Sequence, residues 1–168
     1  MEEELLEIVN PQGEIIGVRP RSEIHGNPKM IHRVVHVLLF NSQGALLLQK
    51  RSMKKDVAAG MWDTSVGGHV DAGETIDDAV RREMKEELGI SLCDPEFLYT
   101  YMHSNHYETE LVHTFSCTYD GEVRFQCDEI DEVRHWSADE ISSAFGRGIF
   151  SDNFEHEFTL FMNHRPGQ

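Results

Sequence analysis

Residues 68–90 read GHVDAGETIDDAVRREMKEELGI, and this stretch limits the folds open to the chain more than any other. A glycine-rich turn runs directly into a helix of about 76–88. Thr75 stands where an N-cap belongs, with Asp78 three positions on as the capping acid. Ile76, Ala79, Val80, Met84 and Leu88 make one apolar stripe, and Gly89 is placed to end the helix. Such a stripe has to be buried, and the strands around it supply a sheet face to cover. The same helix crowds Glu83, Glu86 and Glu87 three or four residues apart on one side. Each like-charge pair destabilises an exposed helix by about 0.2–0.5 kcal/mol. The cluster therefore calls for positive company, and a divalent cation carrying a diphosphate is the natural guest. Magnesium favours carboxylate, water and phosphate oxygens. Glu74, near the helix start, has Arg82 as its nearest basic partner, and Gly67, Gly68 and Gly73 permit tight backbone paths before it. The competing view is an ordinary solvated acidic face.

Around this helix the pattern alternates between strands and turns. Residues 5–9 and 14–18 read as a hairpin about Asn10-Pro11-Gln12-Gly13. Residues 19–31, with Pro20, Gly26 and Pro28, read as an irregular crossing segment. RVVHVLLF at 33–40 and ALLLQK at 45–50 are strands joined by a turn. Residues 51–63 form a polar loop, and 64–66 a short strand leading into the glycines. Residues 96–102, 111–118, 122–126 and 131–136 are further strands; Ser137 with Glu140 starts another helix, and 153–162 is helical with Phe154, Phe158 and Phe161 packing inward. The expected fold class is α/β: a compact sandwich with a mixed sheet rather than a barrel of repeated βα units. With 168 residues and no linker or repeat, residues 1–168 are expected to form one domain, in which 1–31 are an N-terminal hairpin and crossing extension.

The formal charge of -15 argues against binding nucleic acid polymers or an anionic membrane, since both reward positive surface. The opening MEEELLEI lacks the basic start of a secretory signal, and no apolar run reaches membrane-spanning length. The three cysteines, Cys93, Cys117 and Cys127, form no CxxC pair and are expected to be reduced thiols of a cytoplasmic protein.

The stretch resembles the Nudix box: Gly, five residues, Glu, seven residues, Arg-Glu, an apolar residue, any residue, Glu-Glu, any residue, Gly, apolar. Gly68, Glu74, Arg82, Glu83, Met84, Glu86, Glu87, Gly89 and Ile90 fill every fixed place. The resemblance implies the α/β/α sandwich of that superfamily and magnesium-assisted cleavage (manganese as the alternative) of a diphosphate linkage in a nucleoside diphosphate derivative or related small molecule. It implies that Glu83, Glu86 and Glu87 hold metal, that one of them or a nearby carboxylate serves the attacking water, and that Arg82 and Glu74 belong to the catalytic loop-and-helix unit. A homodimer is left open by the same resemblance.

Residues 22–115 also resemble the type 1 isopentenyl-diphosphate isomerases, which share the fold. His25, His32 and His69 with Glu108 and Glu110 match that family's metal ligands, and Phe40-Asn41, Leu46 to Leu48 and Trp62 resemble it as well. On residue types alone, three imidazoles with one or two carboxylates suit zinc, manganese or magnesium. The family's catalytic cysteine place is Gly67 here, which has no side chain to give or take a proton, although Glu110 matches the partner acid. Hydrolysis is therefore favoured over isomerisation, with a noncatalytic nucleotide- or diphosphate-binding module as a further alternative. Lys50, Arg51, Lys54 and Lys55 are a basic run before the glycines; Lys50 and Arg51, with the backbone of Gly67 and Gly68, are the candidate substrate-side groups. Tyr101, His106 and Tyr107 precede the Glu108 pair and are candidates for lining the cleft; Trp62 suits the core better than a stacking role.

Overall fold

Val34, Val35, Val37, Leu38 and Leu39 are all buried, so the apolar run at 34–39 is covered on both faces and forms the middle of a sheet. In the computed structural model, which describes residues 2–164, the elements run β1 (Leu5–Val9), β2 (Ile15–Pro20), α1 (Arg21–Ile24), β3 (Ile31–Phe40), β4 (Leu46–Arg51), β5 (Trp62–Asp63), β6 (Val66–His69), α2 (Ile76–Leu88), β7 (Glu96–Ser104), β8 (Thr109–Thr118), β9 (Ile130–Trp136), α3 (Ala138–Ala144) and α4 (Asp152–Asn163). β3 pairs in parallel with β8 from Ile31–Thr109 to Phe40–Thr118, and antiparallel with β1, β4 and β6. The sheet is therefore mixed.

Alternation along the strands divides the core into two layers. Val35, Val37 and Leu39 face Ala79, Val80, Met84 and Leu88 of α2. Leu38, Leu46, Leu48 and Trp136 face Ile141 of α3 and Phe154 and Phe158 of α4. Helices on both sides of one sheet make the expected α/β/α sandwich. Each fully covered Leu or Phe contributes about 1.5–3 kcal/mol of burial, which holds α2 rigidly over β3 and β6. Thr75 Oγ1 accepts from Asp78 N at 3.1 Å, and Gly89 closes the helix at φ 68°, where its missing Cβ would stand 3.2 Å from the Arg124 carbonyl oxygen.

Four local expectations are corrected. The crossing segment contains a short helix, α1. The strand expected at 64–66 is β6, so Gly67 and Gly68 lie within a strand, paired with His36 and Val35. Residues 122–126 join no ladder: Arg124 N donates instead to Leu88 O at 2.9 Å, tying the segment to the end of α2 while Val123 and Phe125 pack on the α2-side core. Finally, Cys93 and Cys117 are not separate thiols. The chain leaving α2 brings Cys93 beside β8, the two are joined, and their Cα atoms are 6.7 Å apart; Cys127 is free and exposed. Among the described residues no helix is long and apolar enough to cross a membrane.

Candidate active site

One cleft of about 490 Å³ gathers the chemistry-bearing residues of β3, β6, α2, β8 and α4. Glu83, Glu86 and Glu87 stand on its α2 wall, His25, His69, Glu108 and Glu110 at another side, and Arg51, Lys54 and Lys55 close by on the loop after β4. Gly67 and Gly68 form part of the wall between them.

Arg82 organises the α2 side. Its Nε and Nη2 donate to the two oxygens of Glu74 at 2.8 and 2.9 Å, a bidentate grip. Nη2 also donates to His69 O at 2.9 Å, and Nη1 to Glu83 Oε1 at 2.8 Å and Glu86 Oε2 at 3.2 Å. Glu74 accepts in turn from Asp71 N at 3.0 Å, so the turn between β6 and α2 is locked to the helix through one guanidinium. Gly68 has a specific reason to be glycine: a Cβ there would overlap the Glu83 carboxyl group. Glu87 is held differently, accepting from Gln49 Nε2 at 2.9 Å and Gly67 N at 3.1 Å. Burial, reinforced by the nearby Glu83 charge, pushes the Glu87 carboxyl well above the ordinary range. Burial also raises Glu83, against the opposing pull of Arg82. The positive company required by this cluster is thus partly Arg82, and an electrostatic deficit remains at Glu87 that a cation would relieve.

The histidine side converges more tightly. His25, His32 and His69 bring one nitrogen each within 4.8 Å of one another, and His32, Glu108 and Glu110 do the same with their ligand atoms. His25 Nε2 and His69 Nε2 are 3.3 Å apart. Two nitrogens each about 2.1 Å from one ion stand about 3.0–3.4 Å apart in octahedral or tetrahedral coordination, so the spacing fits a shared metal. His32 is fully buried and neither of its ring nitrogens has a hydrogen-bond partner. Burial drives its pKa down to about 3, and burial with the neighbouring His69 lowers His25, which keeps their lone pairs available. Glu4 braces His69 by a 3.2 Å contact to Nδ1. Glu110 is raised well above the ordinary carboxyl range by burial and by Glu108.

Behind the cleft floor, Tyr101 OH lies 2.5 Å from Glu157 Oε2 and 2.7 Å from Asn153 Oδ1, while Asn153 Nδ2 donates to Glu110 Oε2 at 3.1 Å. Glu157 also meets His36 Nδ1 at 2.6 Å.

Residues 30–158 match the model described as NUDIX domain. The chain belongs to the Nudix family. An uncharacterised Nudix hydrolase of Clostridium acetobutylicum is 33% identical over 95% of this chain and 86% of its own length. An isopentenyl-diphosphate Delta-isomerase of Streptomyces avermitilis is also 33% identical, over 89% of this chain and 79% of its own length, so identity alone does not separate the two kinds of relative. The crystal structure of DR0079 from Deinococcus radiodurans superposes with a TM-score of 0.81 at 24% identity, covering 96% of this chain and 99% of that one, and shares the Nudix fold.

Every fixed acidic or basic place of the Nudix box except Glu74 lines the cleft, and Glu74 lies directly behind Arg82. Lys50 does not line it: alternation along β4 sends Gln49 and Arg51 to the cleft side and Lys50 to the other. Tyr107 is in the wall, Tyr101 lies behind it, and His106 takes no part in the lining. Trp62 packs edge-to-face on Trp136 at 5.3 Å, in the core layer under α3 and α4. Sequence inspection passed over Gln49, His36, Asn153 and Glu157. Gln49 ends an apolar strand run, the one local sign of an inward polar residue; His36 and Glu157 are 121 positions apart and carry no local sign.

Proposed function

We propose that this Nudix chain is a metal-dependent hydrolase of a diphosphate linkage in a nucleoside diphosphate derivative or a related phosphorylated small molecule. The observation that carries this is that one cleft gathers the carboxylates Glu83, Glu86 and Glu87 together with the cations Arg51, Lys54 and Lys55. Carboxylates alone would repel a diphosphate. Glu83, Glu86 and Glu87 would hold magnesium or manganese; when bound, the ion supplies charge neutralisation for the diphosphate and lowers the pKa of a coordinated water. Arg51 orients the substrate, the side-chain-free backbone of Gly67 and Gly68 lets it approach, and the lysines of the loop steer it. Glu87, held at the cleft by Gln49 Nε2 at 2.9 Å and Gly67 N at 3.1 Å, is placed to take a proton from the attacking water. Arg82 and Glu74 position Glu83 rather than touch substrate. His25, His32, His69, Glu108 and Glu110 would hold a second metal ion. The hairpin and crossing segment of residues 1–31 contribute Glu4, Arg21 and His25 to the cleft, which supports residues 1–168 acting as one domain.

A screen of nucleoside diphosphate derivatives and other diphosphates with magnesium or manganese, with products resolved by mass, tests the proposal. Glu87→Gln should abolish turnover with the fold retained; unchanged turnover would remove the assigned role. The convergence of the histidine cluster favours a second reading, an isomerase-like activity on isopentenyl diphosphate. Gly67 predicts no double-bond migration by the cysteine route, and turnover in that assay would overturn the preference for hydrolysis. Saturable binding without product under either metal would identify a binding module instead.

A further inference from the structure

His36 lies on the β3 face that also carries His32 and Val34, in the wall of the cleft and only 7% exposed. Its Nδ1 meets Glu157 Oε2 at 2.6 Å, and Glu157 is fully buried inside α4. A carboxylate acceptor fixes the proton on Nδ1 and sets the ring plane. The opposite edge of the ring faces Gly67. A Cβ at that glycine would stand 3.2 Å from His36 Cδ2 and 3.4 Å from Nε2. Gly67 N in turn donates to Glu87 Oε2, so the imidazole edge is one peptide away from the Glu87 carboxylate of the α2 wall. Elsewhere this layer is filled by Leu38, Phe154 and Phe158. A buried ion pair contributes little net stability over apolar packing, so a histidine–glutamate pair with one ring edge at the cleft points to chemistry.

We propose that His36 is the proton donor of the cleft, its Nε2–H meeting the oxygen that leaves when the diphosphate linkage is cut, and that Glu157 is the positioning residue that holds the ring. The proposal rests on the hydrolytic reading above. In the step, the water oxygen forms a new P–O bond. The P–O bond to the leaving group breaks, its electron pair stays on the leaving oxygen, and that oxygen takes the Nε2 proton. The proton lost by the water goes to a cleft carboxylate and then to solvent, from which His36 regains its own.

The surroundings suit the donor form. Burial works against an imidazolium, but the Glu157 charge and hydrogen bond outweigh it, with Asp63 adding to them, and His36 is raised above its ordinary value of 6.5. Tyr101 and His103 of β7 also face it, and Thr114 of β8 is its register partner. Below its raised pKa the ring donates from both nitrogens, one to Glu157 and one into the cleft.

The test compares two substrates sharing one nucleoside phosphoryl group. One is a diphosphate cleaved in the screen. The other is the 4-nitrophenyl ester, whose leaving oxygen needs no proton. His36→Gln should lose about 10²–10⁴-fold on the diphosphate and stay within about threefold on the ester. Glu157→Gln should move the alkaline fall of the diphosphate rate to lower pH, because burial then acts without its counter-charge. Equal loss on both substrates, or no loss on either, overturns the proposal. If either variant fails to fold, imidazole ¹⁵N NMR of the wild-type protein with magnesium and methylenediphosphonate decides it: His36 Nε2 must shift, and an unmoved signal refutes the assignment. If the wild type cleaves no diphosphate, the hydrolytic reading falls on its own, and the same titration still shows whether His36 donates to a diphosphate.

Discussion

Replacing Arg82 with methionine keeps an unbranched apolar stem and removes all five of its donors. In the native cleft those donors hold Glu74 by two bonds, the His69 carbonyl by one, and Glu83 and Glu86 by one each. The Glu86 side chain is 60% exposed, so solvent screens its pair and it contributes close to nothing. Glu74 and Glu83 are 15% and 13% exposed, and each would be left partly desolvated without a counter-charge. Hydrogen bonds to charged groups contribute about 1.5–3 kcal/mol each, and breaking a buried ion pair costs about 3–5 kcal/mol. Arg82 itself is 27% exposed, which places the loss at the lower end, about 3 kcal/mol. For a chain of this size that lowers Tm by about 6–12 °C. Urea unfolding followed by tryptophan fluorescence measures it: the midpoint should fall with the slope unchanged. Magnesium should recover more stability in the variant than in the wild type, because Glu83 and Glu86 then have no other cation. A loss below about 1 kcal/mol would show that Arg82 does not anchor the turn to α2.

Gly68→Ala should fold with a change of about 1–3 kcal/mol, since a held side chain and not backbone must yield, yet should lose about 10²-fold in turnover because Glu83 is displaced; wild-type kinetics would contradict the contact. Glu4 is lowered from 4.5 to about 2, chiefly by its hydrogen bond with His69. A lowered carboxylate contributes stability that is complete above pH 4.5 and is lost as pH falls toward 2, so Glu4→Gln should flatten that limb of the stability–pH curve; an identical acid limb would count against the pair. Thiol titration of the unreduced, denatured chain should find one reactive cysteine, Cys127, and three after reduction; three without reductant would mean that Cys93 and Cys117 stay apart.

Much of the frame was legible locally. The strands at 33–40 and 45–50, the hairpin at the start and the helix at 76–88 are written in periods of two and of 3.6 residues, with Thr75 and Gly89 as end signals. Helix caps and apolar stripes act within a few residues of chain, so inspection finds them. Residues 122–126 show the limit: their apolar residues Val123 and Phe125 serve burial against the α2-side core, and Arg124 N donates to Leu88 O rather than to a strand.

The linear chain determined the Nudix box, the bidentate partners Glu74 and Arg82, and the residue types of the histidine cluster. Only the tertiary structure decided which of these converge. His25 and His69 are 44 positions apart, and His36 and Glu157 are 121 apart. The antiparallel pairing of β6 with β3 places His69, and the packing of α4 across the sheet places Glu157. The packing of α2 over the sheet likewise brought Glu87 to Gln49, 38 positions away. Charge and hydrogen-bonding power reside in single residues and can be read one at a time; the distances and desolvation that give them chemical meaning arise only when distant segments share one dry interior.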